Sequence, residues 1–249
     1  MPLRQLIPRD PPVGVLEMLE GLCLEEKALP DRPYTVVNFV SSADGRATFH
    51  GRSGALGDQV DRDVFHTLRE QNDAVMVGTH TARVERYGRM TRDAERRARR
   101  VSAGREAEPL ACLVSRRGDI PTEAPIFSEP EARIVVFGPA DMPPVAAAAQ
   151  VDVVRLDPGE LTLTTVLRRL RSDYGIRSLL CEGGPTLFGG LLHERLVDEL
   201  FLTLAPKLSG GGAAPGVTDG PELDELARLR LVWALESADS LYLRYAVLG

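Results

Sequence analysis

Ser178-Leu179-Leu180-Cys181-Glu182-Gly183-Gly184-Pro185-Thr186-Leu187 is an apolar run, an acidic residue, two glycines and a proline that opens a helical pattern. The apolar run has the length and the boundaries of a buried strand. Two glycines permit positive φ and close backbone approach. Proline at the first helical position sacrifices nothing, because the N–H there has no intrahelical partner. A strand that feeds a helix through so tight a turn is a building unit of an α/β sheet. The same turn leaves free N–H groups and the positive end of a helix dipole, which favour an anion such as a pyrophosphate. A tight turn with no ligand is the plainer reading, and the spacing alone does not separate the two.

Working outward, the pattern recurs. Tyr34 to Ser42, Ala74 to Val77, Leu110 to Val114, Arg133 to Phe137 and Val151 to Arg155 are short apolar runs bounded by Gly, Pro, Asp or Ser, as buried strands are. Val60, Val64, Phe65 and Leu68 recur at helical spacing, as do Leu163, Val166, Leu167 and Leu170, and then Leu187, Leu191 and Leu192. Alternating strands and helices imply parallel strands covered on both faces. After Val197 the alternation stops. Leu200 to Leu204, Leu229 to Leu235 and Leu241 to Val247 have no long helix between them, and Ser237 to Ser240 reads as a turn. The expectation is an α/β fold: a mostly parallel central sheet, flanking helices and a C-terminal antiparallel hairpin. Val13 to Leu29 reads as one amphipathic helix ahead of the sheet, ended by Pro30 and Pro33. Residues 1–249 are read as a single domain, 1–33 as a helical extension and 34–249 as its core.

Composition narrows the function. The 249 residues are 43% hydrophobic and 27% charged with a net charge of −6, a mix of ordinary folded proteins that argues against nucleic acid as the main partner. Cys23, Cys112 and Cys181 are far apart with no C-x-x-C spacing, so neither a disulfide framework nor a zinc site is signalled. Met1 to Gly14 is proline-rich and charged where a signal peptide would need an apolar core, and no run reaches the roughly 20 apolar residues that span a bilayer. A cytoplasmic protein without a membrane partner is expected. Charge is concentrated between Arg83 and Arg105, where nine arginines meet three acidic residues. Arg96, Arg97, Arg99 and Arg100 read as a solvated helix or connector, whereas Arg89 and Arg92 could rim a pocket for an anion.

Candidate chemistry collects at strand ends. Glu182 lies where open α/β sheets bind ligands, although it could merely cap nearby backbone N–H groups. Ser41-Ser42-Ala43-Asp44-Gly45 follows the first strand, and beyond it Gly51, Gly54 and Gly57 surround Ser53. Val77-Gly78-Thr79-His80-Thr81 again places glycine and hydroxyls past an apolar strand. The four histidines lack metal-binding spacing, and no G-x-S-x-G, G-x-G-x-x-G or P-loop motif occurs. Pocket signals without a nucleophile or metal suit chemistry carried by a bound cofactor.

Taken in order, Ser42-Ala43-Asp44-Gly45, Leu68-Arg69, Val77-Gly78-Thr79-His80-Thr81, Glu182 to Leu187, Leu196 to Leu200 and Ala205-Pro206-Lys207-Leu208-Ser209-Gly210-Gly211 resemble the pyrimidine reductase family of riboflavin biosynthesis. That family is the reductase half of bacterial riboflavin deaminase-reductases and has a dihydrofolate reductase-like fold. The resemblance runs from about Tyr34 to Val247 and implies a stand-alone reductase. It implies hydride transfer from NADPH to the ribosylamino side chain of 5-amino-6-(5-phosphoribosylamino)uracil or a close diaminopyrimidine analogue. A dihydrofolate or pterin reductase and a non-catalytic nucleotide-binding protein are the alternatives on this fold. By resemblance, Gly183, Gly184, Pro185, Thr186, Leu187 and Gly190 would hold the dinucleotide with Gly78, Thr81 and Glu85, and Val40 and Ala55 would flank the nicotinamide. Ser53, Arg69, Met90, Arg92 and Glu182 would face the substrate, Asn38 and Asp44 would serve the catalytic step, and no metal is involved. Arg46, Arg52 or Arg83 could each meet a 2′-phosphate, and the sequence does not separate them. Asn38 stands where many members have lysine, and Glu85-Arg86-Tyr87-Gly88 replaces the common Asp-Asp-Pro or Asp-Asn-Pro. The alternating apolar residues of the C-terminal strands further suggest a homodimer.

Overall fold

The computed structural model describes residues 13–248 and the backbone of 4–7; most of the proline-rich start lies outside the described residues. The chain forms two compact units, one of residues up to Leu22, Thr35–Leu68 and Gly183 onward, the other of Cys23–Tyr34 and Arg69–Glu182.

The first unit is built on strands β1 (Arg4–Ile7), β2 (Tyr34–Ser42), β8 (Glu199–Ala205), β9 (Arg228–Ser237) and β10 (Ser240–Leu248), in the order β1-β9-β10-β8-β2. β2 and β8 run parallel with Val36 opposite Glu199, while β10 is antiparallel to both β8 and β9. The expected C-terminal hairpin is borne out. Ala238 and Asp239 take φ of 50° and 68° at its tip, and two positive φ angles give the turn the twist that strand pairing requires. Helix α2 (Gln59–Gln71) begins here and buries Val60, Val64 and Leu68, and α6 (Pro185–His193) buries Phe188 and Leu191. Asp58 caps α2 by accepting from the Asp61 N–H at 2.9 Å, and Ser240 and Tyr242 donate to the same carboxylate.

The N-terminal expectation needs correction. Helix α1 covers only Val15–Leu19, followed by a separate 3-10 turn at Leu24–Lys27. Gly21 at φ 74° and Cys23 at φ 45° lie between them, and residues in that conformation cannot continue a right-handed helix.

The second unit holds β7 (Ser178–Cys181), β3 (Ala74–Gly78), β4 (Leu110–Val114), β5 (Arg133–Pro139) and β6 (Gln150–Leu156), in that order. All are parallel. The apolar runs of β7, β3, β4 and β5 are its buried centre, because strands covered on both faces need apolar side chains at every position, whereas the run Val151 to Arg155 is only half-buried to exposed because β6 is the edge strand. Helix α5 (Leu163–Ser172) buries Leu163, Val166, Leu167 and Leu170, the four positions its periodicity marks, and Thr162 caps it through the Thr165 N–H at 3.1 Å.

Helix α4 (Ala94–Ser102) carries the arginine run, and only part of it is solvated. Arg100 is 1% exposed. Its Nη1 donates to the carbonyls of Arg69, Glu70 and Asn72 at 2.7–2.9 Å, and its Nε to Glu106. The last carbonyls of α2 have no intrahelical partner, and the guanidinium supplies them with donors. Burial and nearby Arg105 push its pKa down to about 10, so it remains charged at neutral pH. Arg96 and Arg99 close on Glu70 at 3.1 and 2.6 Å. The run is therefore a clamp on the end of α2.

Candidate active site

In the first unit, β2 ends at Ser42 and the chain turns through Asp44. The Asp44 carboxylate accepts from Ser42 Oγ at 2.5 Å, Ser209 N at 3.0 Å, Ser209 Oγ at 2.9 Å and Gly210 N at 3.1 Å. Hydrogen bonds from Ser42 above all, then Ser209, hold its pKa well below the usual carboxylate range. Its chemistry is thus that of a fixed anion joining the loop after β2 to the loop after β8. Lys207 ties the same loops from the other direction, with Nζ donating to the carbonyls of Ala55 and Leu56 at 2.8 and 2.7 Å. Arg46 bonds the Ala214 carbonyl at 2.8 Å. Beside the brace lies a cleft of about 390 Å³ lined in part by Thr48, His50, Ser209 and Pro215. Ser53 and Ala55 sit in the braced segment, and Val40 lies on β2 opposite Thr203. Asn38 on the same strand is buried, and its Oδ1 has no hydrogen-bond partner among the described residues, an orphaned acceptor that a ligand donor would satisfy.

The glycine turn that opens α6 is as tight as its sequence implies. The positive φ falls on Gly183, at 88°, while Gly184 is extended and its carbonyl accepts the first bonds of the helix, from the Leu187 and Phe188 N–H groups. A Cβ on Gly183 would lie 2.6 Å from the Phe39 ring, and Phe39 in turn stacks on Phe188 with centroids 5.4 Å apart. Gly184, at the N-cap, offers the helix start no side-chain cap. Thr186 in its first turn donates to the Asp219 carboxylate at 3.1 Å, a position where the dipole favours negative charge. A cradle closed to any larger residue and an uncapped helix start fit a dinucleotide pyrophosphate.

In the second unit, helix α3 (Thr79–Val84) follows β3 directly, with Gly78 before it, Thr81 within it and Glu85 at its end. Arg69 and Glu182 meet in a two-bond pair, Nε to Oε1 at 2.6 Å and Nη2 to Oε2 at 2.7 Å, with side chains 8% and 1% exposed. Arg69 Nη1 also reaches the Met90 carbonyl at 3.0 Å. The Tyr87 hydroxyl donates to Glu182 Oε2 at 2.7 Å, and the Arg69 guanidinium lies 5.3 Å from the centre of the Tyr87 ring. Burial opposes the charge on Arg69, yet Glu182 and Tyr87 hold its pKa above the ordinary value; burial and Glu182 drive the Tyr87 phenol up, so it stays protonated. The structure thus brings Arg69, Met90 and Glu182 together. Arg92 is exposed, with Nη2 2.6 Å from where a Gly88 Cβ would stand. Arg89 is engaged by Glu108 and Glu131, and Arg83 by Asp119 and Glu123. Tyr87, Lys207 and Asp219 are partners that spacing did not single out; the first lies in the noted Glu85–Gly88 departure, and Asp219 carries no motif at all.

Residues 33–242 match the RibD C-terminal domain family. The chain belongs to that family. It is 30% identical over 204 residues to the 2,5-diamino-6-ribosylamino-4(3H)-pyrimidinone 5′-phosphate reductase of Archaeoglobus fulgidus, covering 81% of this chain and 93% of the relative. It is 32% identical over 225 residues to the protein of the same name from Methanothermobacter thermautotrophicus, covering 88% and 100%. A pyrimidine reductase-like protein from Corynebacterium diphtheriae superposes with a TM-score of 0.76 at 24% identity, covering 95% and 100%, and shares the fold. The resemblance read from the sequence is borne out, and with it an oxidoreductase of the riboflavin-pathway reductase type.

Proposed function

We propose that this protein is an NADPH-dependent reductase that acts on a 5′-phosphorylated ribosylamino-pyrimidine and converts the ribosyl group to a ribityl chain. The observation that carries the reading is that the chain spans 93% and 100% of two relatives named as reductases of 2,5-diamino-6-ribosylamino-4(3H)-pyrimidinone 5′-phosphate. NADPH would supply the hydride. Gly183, Gly184 and the first turn of α6 would hold its pyrophosphate, Gly78, Thr81 and Glu85 the rest of the dinucleotide, and Val40 and Ala55 the nicotinamide. Ser53, Arg69, Met90, Arg92 and Glu182 would bind the pyrimidine phosphate. The Asn38 amide, neutral and short of a partner, would bond the ring or sugar, and Asp44 would keep the loop bearing Ser53 and Ala55 in place. These residues bind, orient and exclude water, which is most of what hydride transfer requires of a protein.

NADPH oxidation is measured with the diamino-pyrimidinone phosphate, with its deaminated uracil counterpart and with dihydrofolate. Turnover of either pyrimidine is the expected result. Turnover of dihydrofolate alone would replace the reading with a pterin reductase, and cofactor binding without turnover would replace it with a binding protein. We further propose a homodimer in a reducing cytoplasm. Exposed Leu229 and Leu248 at the open end of the hairpin, near exposed Leu226, support the first, and three cysteines that form no disulfide among the described residues support the second. Light scattering at micromolar concentration should give twice the chain mass, and the monomer mass would refute the dimer.

A further inference from the structure

Among the partners of the buried pair in the second unit, Tyr87 is the one the family resemblance does not assign. Within Glu85-Arg86-Tyr87-Gly88 the chain turns at Glu85 and Arg86, where Arg86 takes φ 52°. The Tyr87 backbone is pinned on both sides, its N–H donating to the Ala82 carbonyl at 3.0 Å and its carbonyl accepting from the Ile126 N–H at 2.8 Å. The side chain so held reaches Glu182 Oε2 at 2.7 Å. A carboxylate offers about four acceptor positions. Arg69 Nε takes one on Oε1, while Arg69 Nη2 and Tyr87 Oη take two on Oε2. The remaining acceptor position is on Oε1.

We propose that Tyr87 is a positioning residue for the substrate: its phenol fixes Glu182 so that Oε1 alone offers an acceptor to one N–H or O–H donor of the pyrimidine. The inference rests on the reading of Glu182 as substrate-facing. Arg69 neutralises the carboxylate, so the group reads a hydrogen-bond donor rather than a positive charge. Without the phenol, Arg69 still holds both oxygens, but a second acceptor opens on Oε2, so that a single donor no longer meets one oxygen alone. The phenyl ring beside Arg69 is unaffected by loss of the hydroxyl, which makes Tyr87→Phe a clean test.

The experiment compares wild type, Tyr87→Phe, Glu182→Gln and the double variant by pyrimidine-dependent NADPH oxidation, with NADPH affinity from calorimetry. Tyr87→Phe should raise KM for the pyrimidine about five- to tenfold while kcat and NADPH affinity stay within twofold. The double variant should match Glu182→Gln alone, because Tyr87 acts through that carboxylate. An unchanged KM in Tyr87→Phe overturns the proposal, as does a comparable loss of NADPH affinity or a KM effect that adds fully to that of Glu182→Gln. Should Glu182→Gln fail to fold, the KM and affinity values of Tyr87→Phe decide the matter. If wild type turns over neither pyrimidine, it is the functional reading itself that falls, and the Tyr87 proposal falls with it.

Discussion

Each unit places a carboxylate just past the end of a parallel strand, Asp44 after β2 and Glu182 after β7, and the two are satisfied in opposite ways. Asp44 is exposed and takes its donors from hydroxyls and backbone N–H groups, with no cation bonded to it among the described residues. The Glu182 side chain is 1% exposed and takes two of its three bonds from a guanidinium. Solvent screens the first charge, so neutral dipoles suffice. Removing the second from water requires a counter-charge of matching shape. Exposed charge can serve as a hinge pin between loops, whereas buried charge must come as a complete set.

That contrast breaks most visibly at Arg69. Arg69→Ala strands Glu182 without its cation and should cost about 3–5 kcal/mol of stability in urea titration. If the protein still folds, pyrimidine KM should rise with NADPH affinity nearly unchanged. A loss below about 1 kcal/mol would mean that the pair is wetter than its burial implies. Next is Arg100→Met, which removes the donor shared by the carbonyls of Arg69, Glu70 and Asn72 and should cost about 2–3 kcal/mol; if α4 were only a solvated helix, the same titration would show no change.

The turn between the two units of sequence, Glu182-Gly183-Gly184, sharpens the comparison on the backbone side. Gly183→Ala brings a Cβ to within 2.6 Å of the Phe39 ring at φ 88° and should cost about 1–3 kcal/mol, read as a lowered denaturation midpoint. Gly184→Val, at the closest expected approach of the pyrophosphate, should weaken NADPH binding at least tenfold, about 1.4 kcal/mol; wild-type affinity by calorimetry would move the pyrophosphate elsewhere.

The smallest effect is expected at Asp44. Its folded pKa is depressed, so its contribution to stability is present above the ordinary carboxylate pKa of about 4 and is lost as pH falls toward the folded value. Asp44→Asn should therefore be slightly less stable than wild type at neutral pH, with the gap closing under acid. A gap that is constant with pH would show that the charge contributes nothing. Since the brace also holds the segment of Ser53 and Ala55, a modest fall in kcat should accompany it.

The sequence by itself determined the strands of the second unit, helices α2, α5 and α6 and the C-terminal hairpin, because buried parallel strands, amphipathic helices and tight turns each demand a residue pattern that can be counted along the chain. It also marked Glu182 and the glycine turn, where local backbone requirements are written in glycine and proline. Tertiary structure alone decided the partners. That Arg100 serves the end of α2, that Lys207 holds Ala55, and that Tyr87 rather than solvent completes Glu182 depend on residues 30, 152 and 95 positions apart. The broken N-terminal helix belongs with them, since its apolar spacing suits a helix and only the left-handed residues Gly21 and Cys23 reveal the break. A side-chain hydrogen bond between distant residues leaves no period in the sequence, so charge and polarity show that a partner is needed while the fold chooses which one.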